Sequence, residues 1–206
     1  MKTEILRADH PVALQHAIDI LHHGGLVAFP TDTVYGLASL PFQSEMVERL
    51  YIAKGRNSER AIAILLGDIS QMSQVVGEVT LPARRLAERF WPGPLTLILP
   101  RLPRLPDMLS PNQTIGVRIP DHPVALALLR MAGPLAVTSA NLSGQGNAVT
   151  ASEVYEQLNG RIHLVLDGGQ APGGVPSTVL DCTIPDPVII REGPISLAQV
   201  RECLDK

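Results

Sequence analysis

The chain has 206 residues, enough for one well-packed domain, and its 45% apolar content excludes intrinsic disorder. Its 17 basic and 20 acidic residues give a net charge of −3, which argues against broad nucleic-acid binding but permits a local basic site. Two cysteines, Cys182 and Cys203, are too few for a disulfide scaffold, and we expect a cytoplasmic protein. The longest plain apolar run, 124–129, is too short to cross a bilayer, so no membrane partner is expected.

Helical and strand-like segments alternate through the first half of the chain. Asp9 is expected to cap a first helix, whose apolar residues recur at helical spacing until Gly24. The next predicted elements are a strand at 26–29, a helix from about 44 to 54, a strand at 62–66, a helix from Thr80 to 91 and a strand at 95–99. This order is typical of a layered α/β fold.

The alternation continues beyond the proline-rich stretch 100–111, which is predicted to be an irregular surface loop without a domain boundary. The predicted elements there are a strand at 115–119, a helix over 124–131 capped by Asp121 and stopped by Gly133, a strand at 135–138, a helix opened by a Thr150–Glu153 capping box, strands at 162–166, 178–181 and 188–191, and a helix from Ser196. We therefore expect residues 1–206 to form a single α/β domain around a mainly central sheet.

Polar residues collect directly after two of the predicted strands. Thr31, Asp32 and Thr33 follow the strand at 26–29, and Ser139 and Asn141 follow the strand at 135–138. In open α/β sheets, ligands bind at these strand ends. The same residues can also do no more than close turns through local hydrogen bonds, and the sequence leaves both interpretations open.

Four cations stand at positions that favour an anion site. Lys54 and Arg56 close the helix from 44 to 54, and Arg118 and Arg191 lie in otherwise apolar strands, where a cation needs a partner. If these cations converge in the fold, they form an anion site for phosphates and a carboxylate, because a guanidinium group binds either through two hydrogen bonds. Alternatively, the first pair complements a helix C-terminus, and Arg118 pairs with a carboxylate such as Asp121.

Several familiar chemistries lack their motifs. The chain has no G-x-x-x-x-G-K-[ST], no G-x-G-x-x-G after a strand and no G-x-S-x-G. Its six histidines show no ligand spacing, so we expect no metal site built by the protein.

Seven ordered segments together resemble one known family. They are PTDTVYGL (30–37), AKGR (53–56), WPGPLTLIL (91–99), GVRIPDHP (116–123), TSANLSG (138–144), STVLD (177–181) and IIREG (189–193). From about residue 12 to 195 the chain is similar to the YrdC-like family. The resemblance implies a twisted, open, mixed sheet with flanking helices and a large, concave, positively charged cavity. It also identifies the chain as a single-domain form, without the extra C-terminal domain of longer members.

Characterised members of this family are threonylcarbamoyl-AMP synthases. The resemblance therefore implies an enzyme, a nucleotidyltransferase, that converts L-threonine, bicarbonate and ATP into threonylcarbamoyl-AMP and pyrophosphate. That product supplies the N6-threonylcarbamoyl group of adenosine 37 in tRNA. Mg²⁺ is expected with ATP, held largely by phosphate oxygens and water. Downstream threonylcarbamoyl-transfer proteins are the implied partners, with a possible weak contact to tRNA.

The resemblance also implies roles for residues that match the family motifs. Lys54 and Arg56 would grip the ATP phosphates and serve catalysis. The residues implied for threonine are Thr31, Thr33, Arg118 (for its carboxylate), Ser139 and Ser177. Those implied for the nucleotide, besides Lys54 and Arg56, are Thr114, Asn141 and Arg191.

The chain departs from the family pattern near these sites. Asp32 stands where Glu is usual, the run from Asn57 to Ala61 differs, and Leu65 replaces a histidine that some members have. Two alternatives therefore remain: a paralogue that adenylates another carbamate or small acid, and a non-catalytic RNA-binding or ribosome-associated protein.

Overall fold

The computed structural model describes residues 2–55 and 61–205. Its strands and helices agree in kind and order with most of the predicted elements. The strands are β1 Glu4–Arg7, β2 Val27–Phe29, β3 Gly36–Ser39, β4 Ala63–Leu65, β5 Leu95–Pro100, β6 Thr114–Arg118, β7 Leu135–Ser139, β8 Leu164–Asp167, β9 Thr178–Asp181 and β10 Val188–Arg191. The helices are α1 Ala13–His22, α2 Ser44–Lys54, α3 Leu81–Phe90, α4 Pro123–Ala132, α5 Ala151–Leu158 and α6 Leu197–Leu204, with 3₁₀ turns at Ile69–Gln74 and Asp107–Leu109.

The strands form one open sheet in the order β1-β8-β2-β3-β7-β4-β6-β5-β9-β10. The pairs β1–β8, β2–β8, β4–β6 and β5–β9 are parallel, and the other neighbours are antiparallel. The mixed open sheet with flanking helices that the family resemblance implied is confirmed. No helix in the two described ranges has the length and apolar character needed to span a membrane.

The two faces of the sheet are covered to different extents. Side chains of alternate residues point to opposite faces of a strand. One face contributes to a large apolar core with α2, α3, α5 and α6. On the opposite face, α1 and α4 pack over residues of β2, β8 and β7, in a smaller core. The candidate site lies on that second face, against residues of β3, β4, β6, β5 and β9.

Two predicted helix caps are wrong. Asp9 does not cap α1, because Val12 is its N-cap residue and Asp9 instead accepts hydrogen bonds from Arg7 at the end of β1, a strand the sequence analysis missed. Asp121 does not cap α4, because the N-cap residue is the next one, His122, whose Nδ1 accepts from the Val124 N–H at 3.3 Å.

The other end signals act as predicted. Thr150 and Glu153 form the expected capping box of α5, and Gly133 ends α4 with a φ of 83°, which favours glycine. Strand β3 was missed, because no element was predicted between the strand at 26–29 and the helix from about 44. Its pairing with β2 and β7 places the loop after β2 beside the centre of the sheet.

Candidate functional site

A cavity of about 590 Å³ lies against the part of the sheet left uncovered by α1 and α4. Its floor is built from residues on the cavity-facing side of five strands. Four of them are small or polar, Gly36, Ala63, Thr96 and Gly116, and the fifth is Val179. Neighbouring positions on the same strands face the large core and are apolar: Leu37, Ile64, Leu97, Val117 and Leu180. The alternation gives one face a packed core and the other a ligand-sized hollow.

The small residues of the floor are required by close packing. A Cβ atom at Gly36 would lie 2.8 Å from Val137 Cγ1. One at Gly116 would lie 3.0 Å from Thr96 Cγ2 and 3.6 Å from Ala63 Cβ. Side chains at either position would therefore displace their neighbours or project into the hollow.

Arg118, at the end of β6, is the most constrained cation of the cavity wall. It is 5% exposed, and its Nε donates to the Gly93 carbonyl at 2.9 Å. Its Nη1 donates to Thr33 Oγ1 at 3.0 Å, and its Nη2 donates to Asp32 Oδ1 in a buried ion pair. Burial lowers the pKa of Arg118, and the charge of Asp32 offsets part of that effect. The proposed partner Asp121 is wrong: Asp32 is the partner, and Asp121 contributes only its backbone N–H to Asp32.

The loop after β2 presents two buried threonines to the same wall. Thr31 Oγ1 donates to the Val34 carbonyl at 2.7 Å and accepts from the Thr33 N–H at 3.2 Å. The two hydroxyls are 3.0 Å apart, so the Thr33 hydroxyl donates to Thr31 while it accepts from Arg118. These bonds fix the direction of the Thr33 hydroxyl beside the guanidinium.

Arg191 reaches the cavity because β10 is irregular. Ile189 pairs with Leu180 and Arg191 pairs with Val179, with a shift of register between them. In a regular strand, residues two apart share a face, so the bulge turns Arg191 toward the cavity. Its Nε and Nη2 donate to the Ser177 carbonyl at 3.1 and 2.7 Å.

Ser177 and Thr96 form a buried hydroxyl pair under Arg191. Their oxygens are 2.8 Å apart, and Arg191 Nη2 donates to Ser177 Oγ at 3.2 Å. Both residues are 5% exposed and line the cavity. Thr96 therefore orients the Ser177 hydroxyl through this hydrogen bond.

Lys54 does not line the cavity, and its side chain stabilises the loop after β7 through hydrogen bonds. Its ammonium is buried and donates to the carbonyls of Ser139 and Asn141 at 2.6 and 2.7 Å, and to Asn141 Oδ1 at 3.3 Å. The Asn141 amide nitrogen donates to the carbonyls of Leu142 and Gln145. The helix end and the loop are thus held as one unit.

The structure gathers most of the predicted site residues. Those that line the cavity are Thr31, Thr33, Thr114, Arg118, Ser139, Ser177 and Arg191. Lys54 and Asn141 lie behind Ser139, and Arg56 lies outside the described residues. Thr96 was not predicted as a residue of the cavity, and Asp32 was not predicted as the partner of Arg118. Thr96 is a polar residue within the otherwise apolar strand β5, and this is the sequence signal by which it could have been found.

The cavity wall contains no described aspartate, glutamate or histidine. Within residues 2–55 and 61–205 no group of three or more His, Cys, Asp or Glu side chains is arranged to hold a metal ion. The wall does include Tyr35, whose Oη donates to the Gly169 carbonyl at 2.7 Å and whose pKa burial raises to about 12. Arginines and neutral hydroxyls are donors suited to a carboxylate and to phosphates.

Known proteins resemble both the sequence and the fold. The family model Sua5_yciO_yrdC, described as "Telomere recombination", matches residues 19–193. The chain is 43% identical to the threonylcarbamoyl-AMP synthase of Bacillus subtilis, over 96% of this chain and 58% of that protein. It matches the crystal structure of P. abyssi Sua5 complexed with L-threonine with a TM-score of 0.92 and 36% identity, covering 98% of this chain and 60% of that one. The E. coli YciO structure matches at a TM-score of 0.85 and 29% identity, over 97% and 98% of the two chains.

The chain thus spans less than two thirds of the length of the B. subtilis and P. abyssi relatives. The family model, by contrast, covers most of this chain, including both arginines of the cavity. The chain belongs to the Sua5/YciO/YrdC family.

Proposed function

We propose that this chain is an L-threonylcarbamoyladenylate synthase, an enzyme that forms threonylcarbamoyl-AMP and pyrophosphate from L-threonine, bicarbonate and ATP. The observation that carries the proposal is the pairing of Arg118 with Thr33 on the wall of a cavity. A guanidinium and a fixed hydroxyl side by side suit the carboxylate and the hydroxyl of a small hydroxy amino acid. The similarity to a Sua5 protein complexed with L-threonine supports this choice of substrate.

Threonine would lie between the two hydroxyl clusters. We place its carboxylate at Arg118, with Thr31 and Thr33 on one side and Ser139 and Ser177 on the other. The buried bonds of the Thr31, Thr33 and Ser177 hydroxyls support the placement, because side chains that are already fixed lose little entropy when a substrate binds. The amine would then project into the open part of the cavity.

The nucleotide would occupy the rest of the hollow. We assign Thr114, Asn141 and Arg191 to ATP, and Lys54 and Arg56 to its phosphates. Arg191 supports this assignment, since its guanidinium lines the cavity and is held there by the Ser177 carbonyl. The Lys54 ammonium already contacts three acceptors, so a direct phosphate contact requires it to release one of them.

The reaction needs positioning more than acid or base groups. The threonine nitrogen bonds to the carbon of bicarbonate with loss of water, which gives a carbamate. A carbamate oxygen then bonds to the α-phosphorus of ATP while the bond to the β-phosphate oxygen breaks and pyrophosphate leaves. Arginine side chains stabilise the developing negative charge without proton transfer, and the fixed wall aligns the reacting atoms.

We propose that Mg²⁺ enters as the ATP complex. Phosphate oxygens and water are sufficient ligands for this ion, and the described part of the cavity offers hydroxyls rather than a carboxylate cluster. We further infer that the product passes to separate threonylcarbamoyl-transfer proteins that modify adenosine 37 of tRNA. We expect a cytoplasmic location, since ATP, bicarbonate and tRNA meet there, and a weak direct contact with tRNA at most.

The test is pyrophosphate release by the purified chain with each substrate omitted in turn. We expect release to require ATP, L-threonine and bicarbonate together. Pyrophosphate release that does not require threonine but depends on another amino or carboxylic acid would favour the paralogue that adenylates a different substrate. RNA retention at physiological salt without any turnover would favour the RNA-binding alternative.

A matched pair of variants connects the activity to the cavity. Arg191→Gln removes a cation from the wall, whereas Arg201→Gln removes an exposed one from α6, outside the cavity. We expect only the first to raise the KM for ATP, by about 10-fold, the value of one charged hydrogen bond. Equal effects of both changes would contradict the assignment.

A further inference from the structure

Asp32 is a buried carboxylate that does not line the cavity and has no contact assigned in the proposed reaction. Its side chain is 12% exposed, and its Oδ1 accepts from Arg118 Nη2 and from the Asp121 N–H at 3.0 Å. These partners belong to the end of β6 and to the loop before α4, while Asp32 follows β2. One oxygen atom therefore joins three segments directly behind the cavity wall.

The donors of Arg118 show what this contact does to the guanidinium. A guanidinium has five N–H donors in a fixed plane. Gly93, Thr33 and Asp32 take one donor each, at Nε, Nη1 and Nη2. One N–H on each Nη atom has no acceptor among the described residues, and Arg118 lies on the cavity wall. Asp32 fixes one edge of the plane and leaves these two donors for a ligand.

The second oxygen of Asp32 distinguishes this carboxylate from the other buried polar groups. Asp32 Oδ2 is the one buried side-chain oxygen or nitrogen in the described ranges that has no hydrogen-bond partner. Leaving a buried polar atom unpaired costs stability, so such an atom in a native protein needs a physical explanation. The chain tolerates this loss of stability, and in return the Asp32 carboxylate keeps a negative charge beside Arg118.

A second buried arginine shows how a simpler ion pair differs. Arg101 is 7% exposed and its side chain donates to two backbone carbonyls and to Asp107. The Asp107 side chain, however, is 90% exposed, and neither residue lines the cavity. The Arg101–Asp107 pair therefore serves as a matched control for the Arg118–Asp32 pair.

We propose that Asp32 is a positioning residue that aims the two unpaired N–H groups of Arg118 at the carboxylate of the amino-acid substrate. The inference rests on the proposed function, because it takes L-threonine as that substrate. It predicts that changes at Asp32 weaken the binding of threonine selectively. ATP should bind as before, because Asp32 contacts none of the residues assigned to it.

The test compares L-threonine and ATP binding by calorimetry in four proteins: the unmodified chain, Asp32→Asn, Asp32→Glu and Asp107→Asn. Asp32→Asn keeps the shape but removes the charge, and we expect threonine affinity to fall at least about 10-fold, with ATP affinity within about 2-fold. Asp32→Glu keeps the charge but moves the carboxylate by one methylene, so we expect a smaller loss for threonine, about 3-fold. Asp107→Asn should change neither affinity.

Each outcome decides the inference. Threonine affinity that is unchanged in Asp32→Asn overturns it, as do equal losses for threonine and ATP, which indicate a merely structural pair. If Asp32→Asn does not fold, Asp32→Glu decides: a lower melting temperature with both affinities unchanged also overturns it. Absence of threonine binding in the unmodified chain contradicts the proposed function itself, and is thereby distinguished from a failure of the Asp32 inference alone.

Discussion

Replacing Arg118 with lysine separates the binding role of the guanidinium from its charge. Lysine retains a cation near Asp32 but presents a single nitrogen in place of the planar fork. It cannot simultaneously replace the bonds to Gly93, Thr33 and Asp32 and donate twice to a substrate carboxylate. The change should therefore weaken threonine binding and also loosen the wall.

The size of the effect follows from the bonds that are lost. A hydrogen bond to a charged group contributes about 1.5–3 kcal/mol. Loss of one of the two unpaired donors to the carboxylate should cost about 2 kcal/mol of threonine binding, roughly a 30-fold higher KM for threonine. Loss of the bonds to Gly93 and Thr33 should lower the free energy of unfolding by about 2 kcal/mol.

Arg101→Lys is the control, since Arg101 is also buried and also holds backbone carbonyls and an aspartate. We expect it to lose similar stability while its KM for threonine stays within about 3-fold, because it does not line the cavity. The measurements are steady-state pyrophosphate release at varied threonine and urea unfolding. An equal rise in the KM for threonine in both variants would refute the carboxylate role of Arg118.

Three further predictions concern packing, pH and thiol reactivity. Gly116→Val adds atoms where even a Cβ would lie 3.0 Å from its neighbour, so we expect about 1–3 kcal/mol of lost stability by thermal unfolding, and reduced turnover. His163 Nδ1 accepts from the Leu26 N–H at 3.0 Å and burial lowers its pKa, so protonation favours the unfolded chain. Stability should therefore fall as pH drops below about 6.5, the ordinary histidine value, and urea unfolding of His163→Gln should show a weaker pH slope; an identical slope would contradict this role. Burial raises the pKa of Cys182 to about 12, so at pH 8 a thiol reagent should label Cys203 first, with both thiols labelled only after unfolding; equal labelling rates in the folded chain would contradict the buried position of Cys182.

The sequence predicted the elements whose signals are local. Apolar spacing and helix-end residues together indicated all six described helices, and short apolar runs indicated eight of the ten described strands. It missed β1, whose partner β8 is distant in the chain, and β3, a four-residue strand between β2 and α2. The caps at Asp9 and Asp121 failed because Asp9 accepts from the neighbouring Arg7 and His122 takes the cap position of α4.

The candidate site was predictable as a set of residues but not as a network. Thr33, Arg118 and Arg191 were identified as polar residues in or after apolar strands, and the structure places all three on one cavity wall. The pairing of Arg118 with Asp32 joins residues 86 positions apart, which no local pattern specifies. The bulge in β10 that turns Arg191 toward the cavity depends on its register with β9.

The most direct test of the proposed function follows the carbon of bicarbonate. The purified chain is incubated with ATP, L-threonine and ¹³C-labelled bicarbonate, and the molecular mass of the adenylate product is measured by mass spectrometry. The proposed function predicts threonylcarbamoyl-AMP that carries one ¹³C atom, formed in equal amount with pyrophosphate. An adenylate that lacks the label, or pyrophosphate release without any threonine-containing adenylate, would contradict it.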